Sequence, residues 1–262
     1  EGGPEEEGRP EAVPALHRLM RALRASRLRV ACALAVACAV AFPAAAHAVA
    51  LPSLPQPGAK SAWTARVLEP VDALERPGAG ASLQRLGRRA PFWGGPNVLL
   101  VLDAKTVGDV GYVKVLLKRM PAGLGGWIPA GNVELARTAR RVVVDLSSRT
   151  VTIRDAGRAI LRARAVIGAP STPTPVGQFA VDAPVDQPAG SVLGRRILAI
   201  AAYSRALARY QGGIPQTAFH AYEKLGDPLG SAASHGCVRV RQTTLTRLLR
   251  LAPRGTPVLI RR

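Results

Sequence analysis

Short runs of apolar and β-branched residues, separated by clusters of Gly, Pro and polar residues, recur along the first half of the chain. Such runs are typical of short strands, and the Gly- and Pro-rich stretches between them are typical of turns. Several short strands with this punctuation predict a small barrel, and we find no catalytic cluster within it. The predicted strands are Ala65–Leu68, Asn97–Asp103, Tyr112–Leu117 and Gly126–Ile128, with turns at Pro77–Gly80 and Pro91–Pro96.

The second half of the chain predicts another mainly β unit with one or two short helices. Arg141–Leu146 and Thr150–Arg154 are apolar runs joined by a short polar turn, which indicates a hairpin. The Ala-, Leu- and Arg-rich stretch Leu193–Arg209 fits either a strand or a helix. The remaining predictions are strands at Leu161–Ile167 and Pro257–Ile260, and a helix over Leu245–Leu251 with Thr243 or Thr244 as N-cap and an end at Pro253 and Gly255.

The amino-terminal region has the pattern of an export signal. After Met20, four arginines lie between residues 21 and 29, and the apolar stretch Val30–Phe42 follows. Ala46–Ala48 then fits a small-residue cleavage site, so the pattern is that of a secretory signal. We expect Met20 to be the true start, with residues 1–19 as an upstream extension.

Other interpretations of this region remain open. The apolar stretch could be a retained membrane anchor or a buried helix, and Cys38 could carry a lipid. No run reaches the ~18 apolar residues of a membrane span, which argues against a protein with several spans. The predicted organisation is residues 1–48 as extension and signal, 49–63 as a linker, 64–137 as the small barrel and 138–262 as the second domain.

Composition adds a strongly basic charge to this picture. The 262 residues include 36 Lys and Arg against 17 Asp and Glu, a formal net charge of +19, and nearly all the basic residues are Arg. An arginine bias of this size can reflect coding composition, so we give the charge little functional weight. Export and the absence of an interleaved basic and aromatic motif argue against nucleic acid as a partner.

The candidate chemistry lies in one short window. Beyond residue 48 the sequence contains one cysteine, Cys237, and two histidines, His220 and His235. Outside the cytosol cysteines usually pair, so a lone cysteine suggests a reactive thiol. An imidazole can take the proton of a thiol and leave the thiolate as a nucleophile. Gly236 would let a carbonyl group approach the backbone, and the N–H groups of Gly236 and Cys237 could form an oxyanion hole.

Three other interpretations of this window remain. His220, His235 and Cys237 could bind a catalytic zinc ion, although a structural zinc site needs a fourth ligand. Cys237 could instead be a buried small hydrophobe with histidines at the surface. A papain-like thiol protease fits poorly, because its local pattern and the order of its histidine and cysteine differ from those seen here.

Two motifs resemble the signatures of the L,D-transpeptidases. The stretch from His220 to Arg239, HAYEKLGDPLGSAASHGCVR, is similar to that family's His, loop, Ser-His-Gly-Cys and Arg pattern. The upstream stretch TPTPVGQF, from Thr172 to Phe179, is similar to its Pro-Thr-Pro strand motif. The resemblance covers about Thr138 to Arg262. The segment Gly126–Pro129 also looks like the closing strand of a bacterial SH3-like domain, and Trp93 and Trp127 could form a wall-binding surface or simply pack.

The resemblance implies a role for each matching residue. Cys237 matches the nucleophile, His220 the general acid and base, and His235 a second histidine that lines the site. The backbone N–H groups of Gly236 and Cys237 match the oxyanion hole. The remaining matches are Ser234, which braces the loop; Arg239, which either braces it or meets a substrate carboxylate; and Ala221, whose carbonyl orients the histidine. The family usually has Gly in place of Ala221, so alanine would be strained at a positive φ and could narrow the pocket.

The resemblance also implies a function. We expect an exported enzyme of the cell envelope that acts on peptidoglycan stem peptides as a cysteine acyltransferase and forms 3→3 cross-links. We expect no metal and no organic cofactor, a monomer, and at most a transient membrane association through the signal segment. Alternatives with the same site are an L,D-carboxypeptidase and an enzyme that attaches protein to the wall, and a further alternative is a non-catalytic wall-binding module. The predicted fold class is mainly β, with an SH3-like barrel followed by a β-rich catalytic domain with short helices.

Overall fold

The computed structural model describes Leu54, residues 56–210 and residues 212–262, and these residues form a mainly β protein. The predicted signal segment and part of the predicted linker lie outside the described residues. The first sheet has seven strands in the spatial order β3-β2-β6-β5-β4-β1-β7. Its strands are β1 (Ala62–Val67), β2 (Val71–Arg76), β3 (Ala79–Leu86), β4 (Val98–Val107), β5 (Val110–Leu116), β6 (Gly125–Pro129) and β7 (Val133–Thr138).

The second sheet has eight strands in the order β10-β9-β8-β17-β12-β13-β14-β16. A separate parallel pair joins β11 and β15, and a single α-helix, α1, lies between β16 and β17 within the described residues. These elements are β8 (Arg140–Asp145), β9 (Thr150–Asp155), β10 (Arg158–Arg164), β11 (Ile167–Gly168), β12 (Gly177–Asp186), β13 (Arg196–Tyr203), β14 (Gln216–Ala221), β15 (Ala232–Ser234), β16 (Val238–Val240), α1 (Gln242–Leu251) and β17 (Pro257–Arg261).

Each sheet has its own apolar core, and a small third cluster joins the two. The core of the second sheet includes Phe219 and Val238, and α1 adds Leu245 and Leu248 to it. Full burial of each of these leucines contributes roughly 2 kcal/mol of transfer free energy. In the joining cluster, Ala62, Leu100 and Leu116 of the first sheet pack against Ala180 and Ala201 of the second.

The hairpin predicted in the second half is confirmed, since β8 and β9 pair in antiparallel fashion around residues 146–149. The helix prediction needs a correction at its start. The helix begins at Gln242, three residues earlier than expected, and no threonine caps it. The carboxylate of Glu223 instead accepts the Gln242 N–H at 2.6 Å, so an acidic side chain from a distant loop satisfies the helix end.

Two further corrections concern strands. The ambiguous stretch 193–209 is a strand only from Arg196 to Tyr203. The strand β6, expected to close the small barrel, lies inside the first sheet between β2 and β5. Trp127 on β6 is buried, with the Lys105 ammonium 5.6 Å from its ring centroid, so packing is the role that the fold gives it. Within the described residues, no helix combines the length and apolar character needed to cross a membrane.

Candidate active site

Two neighbouring strands bring the residues of the main motif together. The strands β14 and β16 pair in parallel, with Phe219 opposite Val238 and His220 opposite Arg239. Because side chains alternate along a strand, Phe219 and Val238 enter the core while His220 and Arg239 share the other face. Cys237 directly precedes β16, so this register brings it to the strand that carries His220.

The turn before the cysteine is organised around the Ser234 hydroxyl. This buried Oγ donates to the Cys237 carbonyl at 2.6 Å and accepts the Gly236 N–H at 3.1 Å. Gly236 has φ +110°, a conformation that a residue with a side chain rarely adopts. Since its N–H is already donated to Ser234, Gly236 does not present a free donor at this turn.

The Thr-Pro-Thr-Pro segment lies against this turn. The Thr172 hydroxyl donates to the Ser234 carbonyl at 3.0 Å, and the Thr174 hydroxyl accepts the Gly168 N–H at 2.8 Å. A Cβ on Gly168 would lie 2.4 Å from the Thr172 carbonyl oxygen, so only glycine permits this approach. The two sequence motifs therefore form one packed unit, which explains why threonines are needed in a proline-rich segment.

His220 is held in one orientation by its neighbour. Its Nδ1 lies 2.8 Å from the Ala221 carbonyl oxygen, and the residue is 4% exposed. A carbonyl oxygen only accepts, so Nδ1 carries the hydrogen and Nε2 of the neutral ring keeps its lone pair. Burial lowers the pKa of His220 to about 4. The charge of Arg239 also lowers this pKa, whereas the hydrogen bond to Ala221 raises it. The imidazole is therefore neutral at pH 7, as a general base must be.

Cys237 is half-buried and has no disulfide partner. Burial raises the pKa of its thiol, while a backbone hydrogen bond at Ala218 and the charge of Arg239 partly oppose that shift. The thiol is therefore protonated at neutral pH. The pair therefore rests as a neutral thiol and a neutral imidazole.

Arg239 is paired within the protein. The residue is 8% exposed, and its Nη1 donates to the Asp227 carboxylate. Of the two roles considered for Arg239, this geometry favours the brace over the substrate carboxylate, because Asp227 already occupies the guanidinium. Sequence reasoning missed Asp227. Asp227 could have been identified as a partner for Arg239, because it is the one acidic residue between residues 224 and 241.

Ala221 lies in an ordinary strand conformation. Among the described residues other than glycine, only Arg149 and Ala156 have a positive φ, so the backbone strain considered for Ala221 is absent. Its side chain is buried in the core of the second sheet, next to Gly194, where an added Cβ would lie 3.2 Å from the Ala221 Cβ. Alanine is therefore accommodated by the glycine beside it.

His235 has a different environment from His220. The residue is exposed, and its ring lies 5.6 Å from that of Tyr210 between centroids, at an interplanar angle of 42°. Tyr210 belongs to the loop between β13 and β14, which therefore reaches the turn that carries Cys237. No group of three His, Cys, Asp or Glu side chains in the described part of the chain is placed to hold a metal ion.

Comparison with known families gives one match. Residues 139–260 match the model of the YkuD family, described as an L,D-transpeptidase catalytic domain. The match contains every residue of both sequence motifs. No curated protein matches the sequence.

Several solved structures are similar to this chain. They include an L,D-transpeptidase from Enterococcus faecium (23% identity, 47% of this chain and 49% of that chain, TM-score 0.34) and one from Mycobacterium smegmatis (16%, 63% and 90%, TM-score 0.39). A third is L,D-transpeptidase 3 from Mycobacterium tuberculosis in complex with a faropenem-derived adduct (14%, 66% and 92%, TM-score 0.42). The chain spans about half the length of the Enterococcus faecium protein. The family match covers residues 139–260, which is less than half of the 262-residue chain.

Proposed function

We propose that this protein is an exported peptidoglycan L,D-transpeptidase that forms 3→3 cross-links through a thioester on Cys237. The observation that carries the proposal is the pairing of β14 with β16, which brings a cysteine next to a strand whose histidine has Nδ1 committed to a carbonyl and Nε2 available as a base.

The first half of the reaction acylates the cysteine. His220 Nε2 takes the thiol proton, and the Cys237 sulfur attacks the carbonyl on the L-centre of the diamino acid in a tetrapeptide stem. The Cys237 N–H stabilises the developing oxyanion, and the Gly236 N–H joins it if Ser234 gives up its bond. The tetrahedral intermediate then collapses with the proton of His220 passing to the departing D-alanine amine, which leaves a thioester.

The second half transfers the acyl group. The side-chain amine of another stem attacks the thioester, His220 accepts the proton of that amine, and the thiol is regenerated as the cross-link forms. Water in place of the amine makes the same site a carboxypeptidase, and an amine on a protein makes it a wall-attachment enzyme. The product therefore depends on which nucleophile reaches the thioester.

We propose further that residues 64–137 are an SH3-like module that holds the enzyme at the wall, and that the enzyme works as a monomer in the cell envelope. The stem peptide is its substrate, and its own side chains supply the acid, the base and the nucleophile.

Intact-mass measurement after incubation with a carbapenem tests the site directly. We expect one covalent adduct on wild-type protein, located on Cys237 by peptide mapping, and none on Cys237→Ala. Incubation with purified tetrapeptide muropeptides should give cross-linked dimers and free D-alanine. An adduct on another residue, or muropeptide products unchanged by Cys237→Ala, would leave a wall-binding module as the better interpretation.

A further inference from the structure

A polar cluster, buried at its centre and exposed where it reaches Trp93, joins the two sheets at the start of the strand that carries His220. Lys118, which follows β5, places its Nζ 2.8 Å from Oδ1 of Asp182 on β12. Both side chains are almost completely buried, at 2% and 0% exposure. A buried ion pair is strongly sensitive to the loss of either partner, so this contact fixes the relative position of the two sheets at this point.

The cluster continues to Gln216, the first residue of β14. The Gln216 Nε2 donates to Asp182 Oδ2 at 2.9 Å, and the Trp93 indole Nε1 donates to Gln216 Oε1 at 2.6 Å. Trp93 belongs to the segment between β3 and β4, so both Trp93 and Lys118 reach this point from the first sheet's part of the chain. We call Trp93, Lys118, Asp182 and Gln216 the interdomain cluster.

Gln216 also repairs an irregular part of the second sheet. Along β13 and β14, Ala199 pairs with Ala218, but the next pair is Tyr203 with Gln216. Three residues of β13 therefore have no regular partner on β14. The Gln216 Nε2 donates to the carbonyl of one of them, Ile200, at 2.9 Å. A side chain thus replaces a backbone hydrogen bond where the ladder is interrupted.

Gln216 is close in sequence to one of the proposed reactive residues, His220. Gln216, Ala218 and His220 alternate along β14 and therefore share one face of it. The pairing of Phe219 with Val238 places Ala218 beside Cys237, and His220 is the proposed base. Loosening the first residue of this short strand displaces both groups relative to the turn that carries Cys237.

We propose that Gln216 is a positioning residue, and that the first sheet becomes part of the catalytic unit because Trp93 holds Gln216 directly and Lys118 holds it through Asp182. The inference rests on the proposed function, because it takes Cys237 and His220 as the reacting pair. Gln216 does not touch the substrate, and it acts through the placement of β14.

The rate of acylation by imipenem tests this proposal on the purified full chain. Trp93→Phe keeps an aromatic ring and removes one hydrogen bond, and Gln216→Leu removes all three. A displacement of reacting groups by about 1 Å can lower a rate on the order of 100-fold, so we expect a limiting acylation rate constant ~3-fold lower for Trp93→Phe and at least ~10-fold lower for Gln216→Leu. The imipenem concentration giving half of the limiting rate should stay unchanged, since the pocket itself is not altered.

Leu86→Val is the matched control. Leu86 is buried in the core of the first sheet and lies outside the interdomain cluster, so this variant lowers the melting temperature without touching Gln216. We expect wild-type acylation kinetics for it. If Trp93→Phe folds and acylates within 2-fold of wild type, as the control does, the proposal is wrong, and Trp93→Phe decides this even if Gln216→Leu fails to fold. A wild-type protein that imipenem does not acylate would instead refute the proposed function.

Discussion

The low pKa of His220 predicts a specific loss of stability in mild acid. In the unfolded chain the imidazole titrates near its ordinary pKa of 6.5, whereas in the folded protein burial lowers that pKa to about 4. Between these values the unfolded chain binds a proton that the folded protein does not bind. Stability is therefore complete above pH 6.5 and is lost as the pH falls toward 4.

The size of this effect follows from the shift. Each pKa unit corresponds to ~1.4 kcal/mol, so the full effect of His220 on the free energy of unfolding is about 3 kcal/mol. Carboxylates also destabilise the protein in acid. Asp145 is one of these carboxylates. Its pKa lies well below its usual range because Ser148 and Ser147 donate hydrogen bonds to it. A carboxylate with a lowered pKa is protonated, and so costs stability, only at still lower pH. The effect of His220 on the free energy of unfolding can therefore be measured separately.

Urea unfolding of wild type and His220→Asn between pH 7.5 and 4.5 measures the effect. Asparagine does not titrate, so the difference between the two free energies isolates the imidazole, and the carboxylates cancel. We expect wild type to lose about 2 to 3 kcal/mol of unfolding free energy relative to His220→Asn as the pH falls. A difference that stays constant across this range would refute the assignment of His220 as a buried neutral base. The same pKa predicts that imipenem acylation declines only as the pH approaches 4.

Three other substitutions test the turn and the interdomain cluster. Ser234→Ala leaves the Gly236 N–H without its partner, and we expect it to lower the free energy of unfolding by about 2 kcal/mol, measured by urea unfolding. Gly236→Ala forces a side chain into a positive φ, so its loss of stability should be about 1–3 kcal/mol, and a wild-type melting temperature would contradict it. Lys118→Met leaves the Asp182 carboxylate buried and unpaired, at a cost of about 3–5 kcal/mol, whereas adding Asp182→Asn should recover part of that loss in a double-mutant cycle.

The sequence predicted those parts of the fold whose pattern is local. The β8–β9 hairpin has apolar runs on both sides of a polar turn, and its strands were placed to within about a residue. The strand β3 was missed because it lies at a sheet edge and most of its side chains are exposed, so it lacks apolar alternation. The helix start was misplaced because Glu223, its actual cap, lies far from it in sequence.

The candidate site divides in the same way. Cys237 and His220 stand out in the sequence because the predicted mature chain contains so few residues with their chemistry. Gln216 has no such signal, since its role depends on two partners that are distant in sequence, Asp182 on β12 and Trp93 in the segment between β3 and β4. The Ser234 hydroxyl was expected to brace the loop, but its competition for the Gly236 N–H depends on the turn geometry.

The neutral state of the cysteine and histidine pair sets a requirement on how the enzyme is activated. Burial raises the thiol pKa and lowers the imidazole pKa to about 4, so both shifts oppose moving the proton from the thiol to the histidine. In the proposed reaction, an acyl donor that excludes water and places its carbonyl at the Cys237 N–H stabilises the product of this proton transfer. A protonated thiol is also a poor target for oxidation, since the thiolate is the reactive form. The same burial thus protects the thiol of Cys237 in the exported environment that we propose for it, and it makes the reactivity of this thiol depend on the proposed substrate.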